Sequence, residues 1–347
     1  MTAIGGALAT LRLARGYTQE QLATMVGVSQ PAINRYEQDL REPDPDIHRR
    51  LADALGVTED FLQHAGSLKG AMAVDAHMRR RASAKATDWR RLEAKLNEHR
   101  MHVSKLFEQV SLHANQIIPT FDPEGMPAAD AARLTRMQWR MPVGPVKDLV
   151  GWLEAAGCVI VAEDFETARV DGLSQWINDH PVVMINQSFP TDRRRWTLAH
   201  ELGHLCLHSE YISSDPETDA NAFAAEFLMP EEVIRPQLRD LTTGKLADLK
   251  RQWGVSMQAL VERAHQLRIM SAADRTAMYK KFSRLGWRVR EPVSEELKPE
   301  IPRLTHSIAE TLLSKGFSAE EVATTAGYAD ETRNEVFVPA AHRLRVV

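Results

Sequence analysis

Along most of the chain apolar residues recur in steps of three and four, a spacing that predicts helices. Over residues 4–62 the pattern divides into five short ones. Leu8, Leu11 and Ile4 face inward in the first, which stops at Gly16, a suitable C′ residue. Thr18 caps the second with Gln21 as its capping-box partner, and Leu22, Ala23 and Val26 form the buried stripe. Gly27 turns the chain. Ser29 is then placed to cap a third helix, "QPAINRYEQ", buried through Ile33 and Tyr36, which leaves Gln30, Asn34 and Arg35 outward. Pro43 and Pro45 precede a fourth helix buried through Leu51, Ala52 and Leu55, and Thr58 caps the fifth.

Further on, Trp89, Leu92, Leu96, His99, Val103, Leu106 and Val110 make a seam of period near 3.5, suited to packing against a partner helix or an equivalent chain. The same stretch is locally basic through Arg79, Arg80, Arg81, Lys85, Arg90, Arg91 and Lys95. That is either a solvated face or a surface for flanking DNA phosphates. "IIPTFDPEGMPAAD" ends it with a proline-bearing break. Two β-prone runs follow, "CVIVAEDF" and "PVVMIN", separated by "GLSQW". Helical periodicity then resumes to the end, with "KLADLKRQWGVSMQALVERAHQL" as a helix pair expected to pack on the preceding domain, and Ser318 capping a late helix.

One of these helices carries "TLAHELGHLCLH", with His200, Glu201 and His204 in an HExxH frame. Positions i and i+4 share a helical face, so the two histidines can aim ring nitrogens at one metal ion. Glu201, rotated by about 100°, can instead reach a water there as general base. A third protein ligand is required. Downstream, Asp215 and Pro216 open another helix, and Glu217 in its first turn can present a carboxylate from a second rigid element.

At 347 residues the chain holds two or three domains, and 44% hydrophobic with 26% charged residues describes an ordinary globular protein. A net charge of −4 means that any nucleic-acid binding rests on a local patch. Two unpatterned cysteines, Cys158 and Cys206, exclude a disulfide framework and a cysteine-rich zinc knuckle. With no membrane-length apolar run and no signal peptide, they lead to the expectation of a cytoplasmic protein.

The "TQEQLA" and "VSQPAINRYE" blocks closely resemble the XRE (Cro/cI-type) helix-turn-helix family. That resemblance implies Gln30 and Arg35 as base readers, and Gln19, Asn34 and Arg41 as backbone or phosphate contacts on a double-stranded DNA operator. "RRWTLAHELGHLCLH", "ETDANAFAAEFLMP" and "GLSQWINDHPVVMIN" together resemble the ImmA/IrrE family of metallo-endopeptidases. By that likeness His200, His204 and Glu217 hold Zn2+, Glu201 is the catalytic base, and a strand lies along the cleft. Asp219 stands where many relatives have a second glutamate and is the alternative third ligand. His208 fits poorly as a ligand and is read as a supporting group.

The expected fold is therefore mainly α and multidomain. A five-helix DNA-binding domain (1–65) leads through a basic helical, coiled-coil-like linker (66–139) to an α+β zincin-like metallopeptidase domain with a small sheet (140–290). A helical module (291–347) completes it, for dimerisation or sensing. The expected function is a homodimeric transcriptional regulator whose endopeptidase cleaves a repressor-type protein, or itself, under stress or in a mobile element. The alternative is a non-proteolytic repressor or antitoxin of a toxin–antitoxin-like module, whose peptidase fold binds a partner or senses metal.

Overall fold

The structure is a computed structural model that describes residues 4–64, 85–177, 180–211 and 213–340. Arg79, Arg80 and Arg81 of the basic run lie outside the described residues. The protein is mainly helical and multidomain, with one small sheet.

The first five helices are α1 (Gly5–Ala14), α2 (Gln19–Val26), α3 (Gln30–Glu37), α4 (Pro45–Leu55) and α5 (Glu59–His64). Every inward residue expected for them is buried, and Leu8, Leu22, Ile33, Leu51 and Phe61 join in one core. Thr18 and Gln21 close a capping box on α2, and Gly27 ends that helix in the left-handed conformation. Ser29 occupies the N-cap of α3 without a side-chain hydrogen bond, so the tight turn and Pro31, which needs no amide partner, start this helix instead.

Helix α6 (Ala86–Phe107) carries the expected seam, but the partner is found within the chain. Leu92, Leu96, Val103 and Leu106 pack on the sheet and on the C-terminal helices, where a partner helix or a second chain was expected. His99 Nε2 meets Glu163 Oε1 at 2.5 Å, Lys95 Nζ donates to Glu163 Oε2 at 2.6 Å, and Arg91 binds Glu166 at 3.1 Å. These three basic groups are thus satisfied by acids of the sheet domain and are not offered to DNA phosphates, whereas Lys85 and Arg90 stay exposed.

Helices α7 (Ala128–Gln138) and α8 (Leu149–Ala155) lead into a three-stranded sheet, β1 (Val159–Glu163), β2 (Gly172–Ile177) and β3 (His180–Asn186). Its order is β1-β3-β2, with β1 parallel and β2 antiparallel to β3. "GLSQW", the stretch between the two β-prone runs, is therefore itself a strand, and it lies at an edge. Alternation sorts the side chains to two faces. Ile160, Val183 and Ile185 face α9 (Thr191–Leu207), while Val159, Val161, Leu173, Val182 and Met184 face α6. Helix α10 (Pro216–Leu228) packs beside α9, and α7 packs on α10 through Ala131, Ala132 and Trp139. Helices α11 (Thr243–Trp253), α12 (Met257–Gln266) and α13 (Ala272–Arg284) extend the same core. The helix pair α11–α12 thus packs on the domain, as expected.

Helices α14 (Leu304–Ser314) and α15 (Ala319–Thr325) close the far side of the sheet and reach the N-terminal five-helix domain. The Thr58 amide donates to Gly327 O at 3.0 Å and the Ala329 amide to Gly56 O at 3.1 Å. The His102 ring on α6 is stacked between Phe61 and Tyr328, with centroids 4.4 and 3.8 Å away. Since a carbonyl only accepts, His102 Nδ1 donates to Ala326 O at 2.7 Å. Arg15, the C-cap of α1, pairs with buried Glu98 at 2.5 Å. The two domains are thereby held on one helix. No described helix is long and apolar enough to cross a membrane.

Candidate metal centre and DNA-binding face

Helix α9 starts at Pro190 without a side-chain cap. By residue type Thr191 or Asp192 could cap it, but the Asp192 carboxylate is drawn to Lys250. That ammonium is wholly buried and also donates to Glu291 and Ser294, at 2.7 Å each. A buried ammonium needs such partners more than the helix start needs a side-chain cap. Arg195 donates to Gly254 O and Val146 O and pairs with Glu300, which ties the next turn in place.

One and two turns further, His200 and His204 lie on one face, and both are buried. Their Nε2 atoms are 3.1 Å apart, and the Glu217 carboxylate lies 3.6 Å from the first and 3.3 Å from the second. Ligands bound at about 2.0–2.1 Å around a tetrahedral ion sit about 3.3 Å from one another. The three groups fit a metal ion on that measure, and they form the three-residue metal-ligating cluster found among the described residues. Two imidazoles and a carboxylate are a donor set suited to zinc.

Glu217 reaches this point because α10 lies very close to α9. A Cβ on Gly203, between the two histidines, would stand 3.1 Å from Ala220 Cα and from Phe223 Cβ. Asp219 goes elsewhere. Its Oδ2 lies 3.6 Å from His208 Nε2 and accepts the Ser213 hydroxyl at 2.5 Å. His208, the group read as supporting, meets His204 Nδ1 through its own Nδ1 at 3.0 Å and contributes no atom to the cluster.

Glu201 points towards the sheet and is fully buried. Its Oε2 accepts the Ser174 hydroxyl of β2 at 2.6 Å. Reading the sequence alone missed Ser174; the only signal was the polar pair Ser174–Gln175 inside an otherwise apolar run. Gly172 makes the approach possible, because a Cβ there would stand 2.5 Å from Thr197 Cγ2 on α9. The strand is pinned to α9 at both ends. Arg193 grips Asp171 with two hydrogen bonds of 2.7 and 2.9 Å, and Trp176 Nε1 donates to Ser209 at 2.5 Å. The arrangement brings the candidate triad of His200, His204 and Glu217, the Glu201 carboxylate and the edge strand β2 together, parts that hydrolysis of an extended peptide would need.

On the opposite domain, Gln30 and Arg35 are exposed on α3 and Arg41 follows it, exposed. Gln30 Nε2 donates to Gln19 Oε1 at 2.6 Å, and Gln19 Nε2 donates to Glu37 at 2.7 Å. Glu37 is itself held by Arg12. Asn34 accepts from Gln38 at 3.3 Å. This side-chain chain fixes the polar face before any DNA is met. The faces buried against α6 and the C-terminal helices are those of α1 and α5, so α3 remains free for a groove.

Residues 153–265 match the family model of the IrrE N-terminal-like domain, and residues 8–62 match that of a helix-turn-helix. The radiation response metalloprotease IrrE of Deinococcus deserti is 38% identical over 105 residues, covering 24% of this chain and 37% of that protein. IrrE of Deinococcus radiodurans is 37% identical over 94 residues, covering 22% and 29%. An SPbeta prophage-derived HTH-type transcriptional regulator of Bacillus subtilis, YonR, is 35% identical over 58 residues, 17% of this chain and 54% of the relative. The match therefore spans about a third of each of the metalloprotease relatives.

Proposed function

We propose that this protein, a helix-turn-helix DNA-binding regulator fused to an IrrE-like metallopeptidase domain, is a zinc-dependent endopeptidase that hydrolyses a peptide bond in a repressor-type protein or in itself. The observation that carries the reading is the spacing of His200, His204 and Glu217, which suits one tetrahedral ion, with Glu201 beside it. Bound there, zinc supplies Lewis acidity, which polarises a carbonyl and makes water a better nucleophile. Glu201 takes the proton of the attacking water and returns it to the departing amine nitrogen. Ser174 donates to one oxygen of Glu201 and so orients the carboxylate.

The substrate lies along β2. Asp171 O accepts from Asn186 N, so alternate residues of β2 turn their backbone groups towards β3, and Gly172, Ser174 and Trp176 turn theirs to the edge. An extended peptide pairs with Gly172 and Ser174. It stops at Trp176, whose carbonyl is taken by the Arg100 guanidinium at 2.7 and 3.1 Å.

Residues 1–65 read a double-stranded operator as a homodimer. Gln30 and Arg35 address base edges, and Gln19, Asn34 and Arg41 address the backbone. Residues 140–290 carry the chemistry, and among the described residues helix α6 and the segment after α15 join the two. The test is incubation of the zinc-loaded protein with helix-turn-helix repressors encoded beside it, next to Glu201→Gln, with fragments followed by mass spectrometry. Cleavage by the parent and not by the variant is the expected result. Equal fragment patterns from both, or regulation in cells that is unchanged by Glu201→Gln but lost in Arg35→Ala, would favour the non-proteolytic repressor instead.

A further inference from the structure

We propose that His208 and Asp219 are a positioning pair that fixes the ring of His204 for metal binding. The inference rests on the metal reading above and concerns groups that reading leaves without a task.

The His204 ring stands between two sets of partners. Its Nε2 faces His200 Nε2 at 3.1 Å and Glu217 at 3.3 Å, and its Nδ1 faces His208 Nδ1 at 3.0 Å. His208 is 4% exposed, and its second nitrogen, Nε2, faces Asp219 Oδ2 at 3.6 Å. The same carboxylate oxygen accepts from Ser213, which holds it in the loop before α10.

Proton accounting along this row has one solution. A ligand nitrogen must be unprotonated, so His204 carries its proton on Nδ1. That N–H donates to His208 Nδ1, which places the His208 proton on Nε2, facing the carboxylate. The His208 N–H then faces Asp219 Oδ2 across 3.6 Å, a distance for electrostatic attraction and not for a hydrogen bond. A carboxylate or carbonyl behind a ligating histidine ordinarily does this work, fixing tautomer and ring angle. Here an imidazole extends the reach by one ring.

The spacing in sequence serves the same end. His204 and His208 are one turn apart on α9, so the second ring stands behind the first. Glu217 and Asp219 come from the first turn of α10, so one helix delivers a carboxylate to the ion and another to the ring that supports its ligand. This also accounts for why neither His208 nor Asp219 completes the triad. His208 Nδ1 is turned to His204 at 3.0 Å, and Asp219 Oδ2 lies 3.6 Å from the other nitrogen of His208, so neither group is directed at the three ligand atoms.

The test is Zn2+ affinity of the full chain by competition with a chromophoric chelator, for the parent, His208→Ala, His208→Gln, Asp219→Ala and His204→Ala. Apo-protein melting curves and the absorption spectra of Co2+-loaded forms accompany it. His204→Ala abolishes tight binding. His208→Ala and Asp219→Ala each weaken it by about 10–100-fold and alter the Co2+ spectrum. His208→Gln recovers part of the loss, because its carbonyl accepts from His204 Nδ1–H. Parent-like affinity and Co2+ spectrum in His208→Ala, whatever the melting temperature, would overturn the positioning role and leave the metal site standing. Failure of the parent to take up Zn2+ would remove the site and the pair together.

Discussion

A methyl group added at Gly203 tests whether the close approach of α9 and α10 builds the metal site. In Gly203→Ala the new Cβ stands 3.1 Å from Ala220 Cα, 3.1 Å from Phe223 Cβ and 3.2 Å from Ala220 O. Carbon atoms in good contact lie about 3.5–4.0 Å apart, so α10 must retreat by about 0.5 Å. Two of the three obstructing atoms are backbone, so a rotamer change cannot relieve the crowding. Overpacking of this kind costs about 1–3 kcal/mol, and alanine in place of glycine returns about 1 kcal/mol of helix propensity. The net loss of stability is therefore about 0–2 kcal/mol, and the protein stays folded. Metal binding is less forgiving, because a shift of about 0.5 Å exceeds the roughly 0.2 Å that coordination distances tolerate. Glu217, one turn before Ala220 on the displaced helix, moves with it. Zn2+ affinity is expected to fall by at least about 10-fold, with urea unfolding of the apo-protein nearly unchanged. Parent-like affinity in a variant folded as well as the parent would refute the claim that helix approach sets the triad.

Three further outcomes follow from other parts of the molecule. Burial would raise the Glu163 carboxyl, but His99 and Lys95 outweigh it and hold it at about 2, below the usual 4.5. A depressed carboxyl stabilises at neutral pH, and its contribution, about 3 kcal/mol, is lost as pH falls from about 4.5 to about 2. Urea unfolding of Glu163→Gln should show a deficit at pH 7 that closes near pH 2; a constant deficit would contradict this. In fluorescence-anisotropy titrations, Arg35→Ala should lose about 1–3 kcal/mol of discrimination between operator and random DNA. Arg41→Ala should weaken both about equally and reduce the salt slope by about 1; the reverse assignment would show the roles exchanged. Gly327 has φ +92°, and a Cβ there would stand 2.1 Å from the Phe61 ring. Gly327→Ala should cost about 1–3 kcal/mol at this contact and speed hydrogen exchange in α5, with α9 unaffected; unchanged exchange in α5 would mean that the contact does not hold the domain.

What could be read from residues alone was whatever is local. The five N-terminal helices were legible down to Leu22, Ile33 and Leu51 because caps, turns and inward stripes all lie within a few residues of one another. Periodicity at Leu92, Leu96 and Val103 announced a buried face but not its cover, which turned out to be this chain's own sheet and C-terminal helices. Strand β2 was obscure for a related reason. Gly172, Ser174 and Trp176 share the face towards α9, so small and polar residues interrupt the expected apolar signal. Asp192 looked like a cap until tertiary packing brought Lys250 to it. Glu217 was the expected third ligand, with Asp219, two residues on, as the alternative. Only the packing of α10 on α9, with the Ser213 loop in front, sends one to His200 and His204 and the other to His208.

The central claim is that α9 and α10 hold a zinc ion beside Glu201, and native mass spectrometry of the full chain with added Zn2+ tests it most directly. The account predicts one ion per chain in the parent and in Glu201→Gln, and none held after His200→Ala or His204→Ala. A parent that holds no ion, or one whose ion survives loss of both histidines, would contradict it.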